Sequence, residues 1–191
     1  MLNKSNKLKN EADSLLTEWK LLDFLNRYGD TYVVGSVVLD LMVWRDIDLV
    51  ILSYKPVIRK AAVEIASHIY GNDRVRKVSI VDERLIENPR KPEGIYIGVE
   101  YITDYNDPWK IDIWYLLAEK DKSVAKTKDI LSKLSTDTKE KILDIKSQMH
   151  DNPNYRKTVT SIDIYEAVLE KGVSDFDEFK HYIQITKNLM L

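Results

Sequence analysis

Residues 31–53 read TYVVGSVVLDLMVWRDIDLVILS, and this stretch decides the fold. Residues 31–35 are mostly β-branched or aromatic and predict a strand, whereas residues 36–44 predict a helix with Ser36 at its N-cap. Residues 46–53 predict a second strand, and the apolar run that completes it is typical of a strand covered on both faces. The order strand, helix, strand indicates an α/β architecture.

The rest of the chain extends this pattern. Hydrophobic periodicity predicts three more strands and two more helices, namely strands over 74–81, 95–102 and 109–116 and helices over 7–27 and 56–70. The last two strands form a predicted hairpin, and the chain after about residue 117 is helical in pattern. We therefore predict an α/β (α+β) core, a mixed sheet with flanking helices, in residues 1–118 and a small helical region in residues 119–191.

Composition narrows the classes of function. The 191 residues include 29 Lys and Arg against 31 Asp and Glu, and neither region has a basic surplus (16 basic and 18 acidic in 1–118, 13 of each in 119–191). Extended binding of nucleic acid through its phosphates is therefore not favoured. The absence of cysteine excludes thiolate metal sites and a Cys nucleophile. Because no segment is apolar enough for a signal peptide or a membrane span, we expect a cytoplasmic protein with no membrane partner.

Two carboxylates interrupt the most apolar part of the chain. Asp46 and Asp48 stand two residues apart on a predicted strand, so both side chains point to the same face. Like charges that are close and partly desolvated repel each other unless a cation lies between them. Mg²⁺ prefers such oxygen ligands together with substrate phosphates. The alternative is a solvated strand end at which Arg45 pairs with one of the acids.

Two other features accompany this pair. Gly35 and Ser36 follow a strand and open a helix, where a glycine permits close approach to the backbone and free N–H groups favour an anion. Asp112 is the one acid within the apolar strand WKIDIWYL, on the same face as Lys110. If this strand lies beside the one that carries Asp46, three carboxylates converge and can hold two metal ions for in-line displacement at phosphorus. The alternative for Asp112 is an ion pair with Lys110.

Together these residues resemble the nucleotidyltransferase superfamily that includes DNA polymerase beta. Its pattern is Gly-Ser or Gly-Gly, a short spacer, Asp-x-Asp or Asp-x-Glu, and a third acid on a neighbouring strand; here it is VVGS, VVLDLMVWR, DIDLVIL and KIDIW. The resemblance covers residues 30–118. The compact chain with a small helical region looks more like antibiotic and minimal bacterial nucleotidyltransferases than like template-dependent polymerases.

The resemblance implies a role for each residue of the pattern. Gly35 and Ser36 would hold the β- and γ-phosphates of a nucleoside triphosphate, expected to be ATP. Asp46 and Asp48 would bind the Mg²⁺ that accompanies the nucleotide, and Asp112 would join them at a second Mg²⁺ that activates an acceptor hydroxyl. The chain would transfer a nucleoside monophosphate, expected to be AMP, to a hydroxyl of an aminoglycoside- or lincosamide-like small molecule or of a protein.

Three more side chains are weaker candidates for the site. Glu100 is either a general base, if its face lines the site, or a surface partner of Arg or Lys. Lys110 and Arg45 either contact phosphates or balance the acids. We expect the loop 83–94 and the C-terminal helices to build the acceptor pocket.

Other functions and assemblies stay open at this point. Minimal nucleotidyltransferases also resemble the antitoxin half of a toxin–antitoxin pair, and the helical region would then be the docking surface for a helical toxin. A homodimer is a second assembly to test. A nucleotide-binding module that performs no chemistry is the third functional interpretation.

Overall fold

The computed structural model describes residues 1–86, 88, 91–104 and 108–191, and a five-stranded sheet forms the centre of this part of the chain. Its strands are β1 (Asp30–Val34), β2 (Asp46–Ser53), β3 (Val75–Asp82), β4 (Gly94–Tyr101) and β5 (Trp109–Leu117). The strand order is β1-β2-β5-β4-β3, in which β2 and β5 run parallel and the other neighbours run antiparallel. The predicted mixed sheet with flanking helices is confirmed.

The N-terminal helices cover one face of this sheet. They are α1 (Leu2–Trp19), α2 (Leu21–Leu25) and α4 (Arg59–Tyr70). The short helix α3 (Ser36–Leu39) connects β1 to β2 along the chain. The single helix predicted over 7–27 was wrong in its continuity, because Lys20 takes a left-handed backbone conformation with φ 53° and separates α1 from α2. The helix predicted over 56–70 begins at Arg59 instead.

The helix predicted over 36–44 ends after four residues, and a long-range contact explains its end. Asp40 has a left-handed backbone with φ 55°, which turns the chain towards β2. The buried Ser5 hydroxyl of α1 donates to the Asp40 carbonyl at 2.8 Å and accepts from the Met42 N–H at 2.9 Å. Because these polar groups are satisfied by α1, the chain can leave the helix inside the protein. The N-cap of α3 is Gly35, not Ser36 as predicted.

The strand β2 is covered on both faces, as its apolar run predicts. Ile47, Leu49 and Ile51 are fully buried in the core against the N-terminal helices. Val50 and Leu52 point to the opposite face, where a smaller apolar cluster with Val34 and Leu116 buries them. Asp46 and Asp48 precede them on that second face, so the carboxylates lie where the apolar cover of the sheet opens.

The C-terminal region is helical, as predicted. Its helices are α5 (Ser123–Lys133), α6 (Thr136–Met149), α7 (Ser161–Lys171) and α8 (Phe176–Lys187), and they enclose a second apolar core. Leu39, Leu41 and Val43 are buried in this second core although they precede β2. The segment between α3 and β2 therefore joins the helical region to the sheet. The division of the chain at residue 118 stays a prediction.

Two predicted features fall partly outside the described residues. The loop 83–94 opens with a short 3-10 turn at Glu83–Leu85, and residues 87, 89 and 90 are outside the described part. The turn at 103–108 includes three more such residues, 105–107. Among the helices that the structure describes, none combines the length and the apolar character needed to cross a membrane.

Candidate active site

The parallel pairing of β2 with β5 brings the three predicted carboxylates together. Asp48 lies directly opposite Asp112 in the register, and Asp46 lies opposite Lys110. Paired residues on neighbouring strands point to the same face at a strand spacing of about 4.8 Å. The side chains of Asp46 and Asp112 are 15% and 16% exposed. We call these three residues, Asp46, Asp48 and Asp112, the carboxylate cluster.

The turn at Gly35 lies against this cluster. Its φ of 68° is in the left-handed region that favours glycine, and a Cβ on Gly35 would stand 2.8 Å from the Asp48 Oδ2. The Gly35 N–H donates to the Thr127 Oγ1 of α5 at 3.3 Å, which fixes the turn from the helical region. Ser36 begins α3, and the N–H groups of a first helical turn have no partner within the helix. Backbone donors therefore stand next to Asp48.

Protein groups balance only part of the negative charge in the cluster. The Lys110 ammonium donates to the Asp112 Oδ2 and lies 3.8 Å from the Asp46 Oδ1. The Tyr96 hydroxyl donates to the Asp112 Oδ1 at 2.6 Å. Among the described side chains, the Asp46 Oδ1 is one of the buried polar atoms that have no hydrogen-bond partner. The one ammonium group thus contacts two of the three carboxylates, Asp46 and Asp112.

The electrostatics of the cluster reflect this shortage of positive charge. Loss of hydration and the neighbouring charges of Asp46 and Asp112 together raise the pKa of Asp48 to about 8, against the opposing effect of Lys110. Loss of hydration also raises the pKa of Asp46, against the opposing effect of Lys110. The same carboxylates raise the pKa of Lys110 although its own burial lowers it. An additional cation would remove the strain on both acids.

The residues fit a divalent metal ion. Within the described part of the chain, no three acidic or histidine side chains stand together as a ready metal site, and the Lys110 ammonium contacts the Asp112 Oδ2. The donor set is nevertheless all oxygen, which Mg²⁺ prefers, and the unpartnered Asp46 Oδ1 is available to a cation. Asp46, Asp48 and Asp112 would hold the metal ions, with Lys110 displaced towards solvent, since its side chain is 47% exposed.

A cavity of about 230 Å³ opens from the cluster towards the helical region. Its lining includes Gly35, Asp48, Trp114, Lys126, Thr127 and Tyr165. Most of the lining residues are apolar or aromatic, and the charged ones are Asp48, Asp121 and Lys126, which pairs with Glu166 at 3.2 Å. An apolar cavity with a few polar groups suits an organic ligand. A larger groove of about 730 Å³ lies between α1 and Trp109, and none of the three carboxylates lines it.

Comparison with known proteins supports the interpretation of the fold. No protein-family model and no curated protein matches the sequence. A variant of the Cid1 poly(U) polymerase bound to MgATP matches with a TM-score of 0.62 and 16% identity over 85% of this chain and 50% of that chain. The MgGTP-bound Cid1 poly(U) polymerase matches with a TM-score of 0.61 and 17% identity over 85% of this chain and 50% of that chain. A cytoplasmic RNA terminal U-transferase matches with a TM-score of 0.58 and 16% identity over 86% of this chain and 48% of that chain.

This is the polymerase beta-like nucleotidyltransferase fold. The chain spans about half the length of the solved structures it matches. The more specific resemblance to antibiotic and minimal bacterial nucleotidyltransferases stays a prediction.

The weaker candidates lie around the cluster of this nucleotidyltransferase fold with partners of their own. The Arg45 guanidinium donates to the Glu11 Oε2 of α1 at 2.9 Å. Glu100 lies on the same face of β4 as the cluster, but its carboxylate pairs with Arg76 at 2.7 Å and approaches Lys77 at 3.6 Å. Of the two roles considered for Glu100, the surface ion pair is the one that the geometry shows.

Several residues at the site carry no signal in the sequence. Lys146 of α6 is 1% exposed, and its ammonium donates to the Leu41 carbonyl at 2.5 Å and to the Tyr165 hydroxyl at 3.2 Å. Burial lowers its pKa to about 8, although the charges of Asp46 and Asp48 oppose the shift. A lysine within an amphipathic helix predicts a solvated residue, so only the tertiary structure identifies this one. Trp44 and Thr127 were also missed as site residues, because only tertiary contacts bring them to the site.

Proposed function

We propose that this chain is a metal-dependent nucleotidyltransferase, which moves a nucleoside monophosphate from a nucleoside triphosphate to a hydroxyl group. The observation that carries the proposal is the pairing of Asp48 with Asp112 across β2 and β5, beside Asp46 and against the Gly35 turn. The proposed metal ligands and the proposed phosphate-binding turn then lie next to each other, with Gly35 and Asp48 lining the same cavity. The fold of the RNA-acting neighbours supports the same reaction class.

The residues of the chain divide the work as follows. Gly35, which has no side chain, permits close approach of the terminal phosphates, and the backbone N–H of Ser36 at the start of α3 donates to them. Lys110 leaves the carboxylates and neutralises a phosphate oxygen. Asp112, whose orientation is fixed by the Tyr96 hydroxyl, accepts the proton of the acceptor hydroxyl. The acceptor oxygen bonds to the α-phosphorus while the bond to the bridging oxygen breaks and pyrophosphate leaves.

Mg²⁺ bound by Asp46, Asp48 and Asp112 would supply charge stabilisation for the α-phosphate and the leaving pyrophosphate. The raised pKa of Asp48 supports this assignment, because a cation compensates the carboxylate better than Lys110 alone does. The chain's own contribution is to fix the three carboxylates on adjacent strands, while Lys110 moves away from Asp112.

The nucleotide and the acceptor are separate parts of the proposal. AMP transfer to a small molecule or a protein is what the family resemblance implies, whereas the structural neighbours are described as a poly(U) polymerase and an RNA terminal U-transferase. A balanced net charge of −2 favours an acceptor that does not need a broad basic surface. We therefore place small hydroxyl compounds and proteins first, with short RNA 3′ ends as the alternative acceptor.

The experiment uses the four α-labelled nucleoside triphosphates with Mg²⁺ or EDTA and three acceptor sets. These are aminoglycosides and lincosamides, candidate proteins including the chain itself, and short RNAs. We expect a labelled product and pyrophosphate only with the divalent metal. Asp46→Asn should abolish product formation, and Asp82→Asn, an acid on the same sheet outside the cluster, should preserve it.

The outcomes separate the competing functions. Turnover that Asp46→Asn leaves unchanged would contradict the proposed mechanism. Binding of Mg·NTP with no pyrophosphate release from any acceptor would instead favour the non-catalytic module.

A further inference from the structure

Trp44 joins the carboxylate cluster to the helical region. Its indole Nε1–H donates to the Asp46 Oδ2 at 3.2 Å, from a position two residues earlier in the chain. The other oxygen of the same carboxylate, Oδ1, is buried and has no hydrogen-bond partner among the described groups. The indole therefore engages one oxygen of Asp46 and leaves the second one for another ligand.

The indole ring is held in place by side chains of the helical region. The Arg156 guanidinium lies over it at 4.6 Å from the ring centroid, and the Lys146 ammonium lies at 5.3 Å. The ring of His150 stacks on it at 5.2 Å, and Tyr155 meets it edge-on at 5.5 Å. Aromatic and cation–π contacts of this kind fix the plane of a ring, and with it the direction of the N–H.

Two arginines beside the Trp44–Asp46 hydrogen bond, Arg156 and Arg45, are also held by contacts of their own. Arg156 has a left-handed backbone with φ 64°, and its N–H donates to the Val159 carbonyl at 2.8 Å. Arg45, between Trp44 and Asp46, pairs with Glu11 of α1. The chain therefore enters β2 with one side chain fixed by the helical region and the next fixed by α1.

We propose that Trp44 is a positioning residue, which orients the Asp46 carboxylate so that its Oδ1 faces the metal ion. The inference rests on the proposed function, because it assigns Asp46 to the metal. It makes the helical region a determinant of the metal site, although that region contributes none of the three carboxylates. Partners that orient a metal ligand typically change metal affinity or activity by about 10- to 100-fold when they are removed.

The test measures binding of Mn²⁺ alone by electron paramagnetic resonance, with no nucleotide and no acceptor. Trp44→Phe keeps an aromatic ring for Arg156 and Lys146 but removes the N–H donor. We expect its dissociation constant for Mn²⁺ to rise about tenfold. The matched control is Trp19→Phe, because Trp19 packs on Tyr101 at 5.2 Å at the far end of α1. This control should stay within about twofold of the wild type.

A kinetic measurement separates positioning from a general structural effect. In Trp44→Phe, the Mg²⁺ concentration for half-maximal rate should rise and kcat should fall, while the KM for the acceptor stays unchanged. Thermal unfolding in EDTA reports whether the fold is intact. If Trp44→Phe does not fold, His150→Ala replaces it, since it frees one face of the ring and keeps the N–H; an increase of about threefold in the Mn²⁺ dissociation constant is then expected.

The control Asp46→Asn distinguishes the two levels of failure. Wild-type affinity for Mn²⁺ in Trp44→Phe, or an equal loss in Trp19→Phe, overturns the role of Trp44 while Asp46→Asn still loses the metal. No Mn²⁺ binding by the wild type, or unchanged binding by Asp46→Asn, overturns the proposed function itself.

Discussion

Two groups of ionised side chains on the same sheet differ in how their charges are balanced. Asp82, at the end of β3, accepts hydrogen bonds from the Arg59 guanidinium at 2.8 Å and from the Arg84 guanidinium at 2.7 Å. We call Asp82, Arg59 and Arg84 the Asp82 cluster. Two cations serve one carboxylate there, whereas in the carboxylate cluster the single ammonium of Lys110 contacts two of the three acids, Asp46 and Asp112.

The pKa values of the acids move in opposite directions. Hydrogen bonds from Arg84 and Arg59 lower the pKa of Asp82, against a smaller effect of burial. Burial and neighbouring carboxylates raise the pKa of Asp48 to about 8. The first arrangement stabilises the charged acid with protein groups alone. The second keeps a deficit of positive charge, which is the property expected of a site that binds a cation with its substrate.

The largest expected effect comes from the carboxylate cluster. Asp48→Asn removes a metal ligand, so turnover should fall by about 1,000-fold or more, within the range of single catalytic interactions. The same change removes a charge that the folded protein disfavours. In EDTA at a pH above 8, the free energy of unfolding should therefore rise, by on the order of 1 kcal/mol. Initial rates and urea unfolding measure the two effects.

Asp48→Asn should thus lower turnover and raise stability, and the two changes must have opposite signs. A variant that lost both activity and stability would show that Asp48 stabilises the metal-free fold, and the comparison of the two clusters would fail. Adding Mg²⁺ should stabilise the wild type more than Asp48→Asn, because only the wild type retains all three carboxylates.

Gly35→Ala tests the turn that faces the cluster. Its Cβ would meet the Asp48 Oδ2 at 2.8 Å, and φ 68° is strained for a residue with a side chain. We expect turnover to fall by about 10- to 100-fold and stability to fall by about 1–2 kcal/mol. Steady-state rates and thermal unfolding measure the two changes.

The matched control for the turn is Gly172→Ala, at the C-cap of α7. Gly172 has φ 72°, and a Cβ there meets no atom within 4 Å. This variant carries the same backbone strain away from the site, so it should lose about 1 kcal/mol of stability and keep its turnover. Equal losses of turnover in the two variants would show that strain alone, without contact at Asp48, explains the effect of Gly35→Ala.

Local sequence patterns were sufficient where one strand or one face decides the outcome. The limits of β2, the shared face of Asp112 with Lys110, and the burial of the run after Asp48 follow from a period of two and from the apolar content. The convergence of the carboxylates also requires that β2 lie beside β5, and the sequence patterns do not predict whether these two strands are neighbours. The structure fulfils that condition.

Long-range contacts explain what the sequence could not predict. The helix at Ser36 ends at Leu39 because Ser5 binds the backbone around Asp40, 35 residues away in the chain. Lys146 donates to the Leu41 carbonyl across 105 residues. The orientation of Trp44 depends in the same way on rings and cations from a region that no periodicity connects to β2. Each of these contacts joins two single residues that are far apart in the chain, so it leaves no periodic pattern in the sequence from which it could be predicted.

Asp82→Asn should have the reverse profile of Asp48→Asn. Turnover should stay within about twofold, and the free energy of unfolding at neutral pH should fall by about 1 kcal/mol, the size of a partly exposed ion pair with good geometry. Because the folded pKa of Asp82 is lowered, its stabilisation is present above the unfolded pKa and is lost as the pH falls. The difference in stability between wild type and variant should therefore shrink below about pH 4.

Urea unfolding between acidic and neutral pH checks this prediction. A difference between the two proteins that grows as the pH falls would contradict the assignment of a lowered pKa. Loss of turnover in Asp82→Asn would mean that the two clusters are coupled.

The smallest expected effect belongs to Glu100, which lies on the face of the carboxylate cluster but has the charge balance of the Asp82 cluster. Its side chain is 34% exposed and pairs with Arg76 and Lys77, and the Arg76 hydrogen bonds lower its pKa. Glu100→Gln should change turnover by less than about twofold and stability by less than about 1 kcal/mol, as for exposed ion pairs. The rate should also keep its pH profile, because a lowered pKa does not suit a general base near neutrality. A loss of about 100-fold would place Glu100 among the catalytic residues. Catalytic carboxylates would then be identified by their position on the cluster face of the sheet, and not by a shortage of neighbouring positive charge.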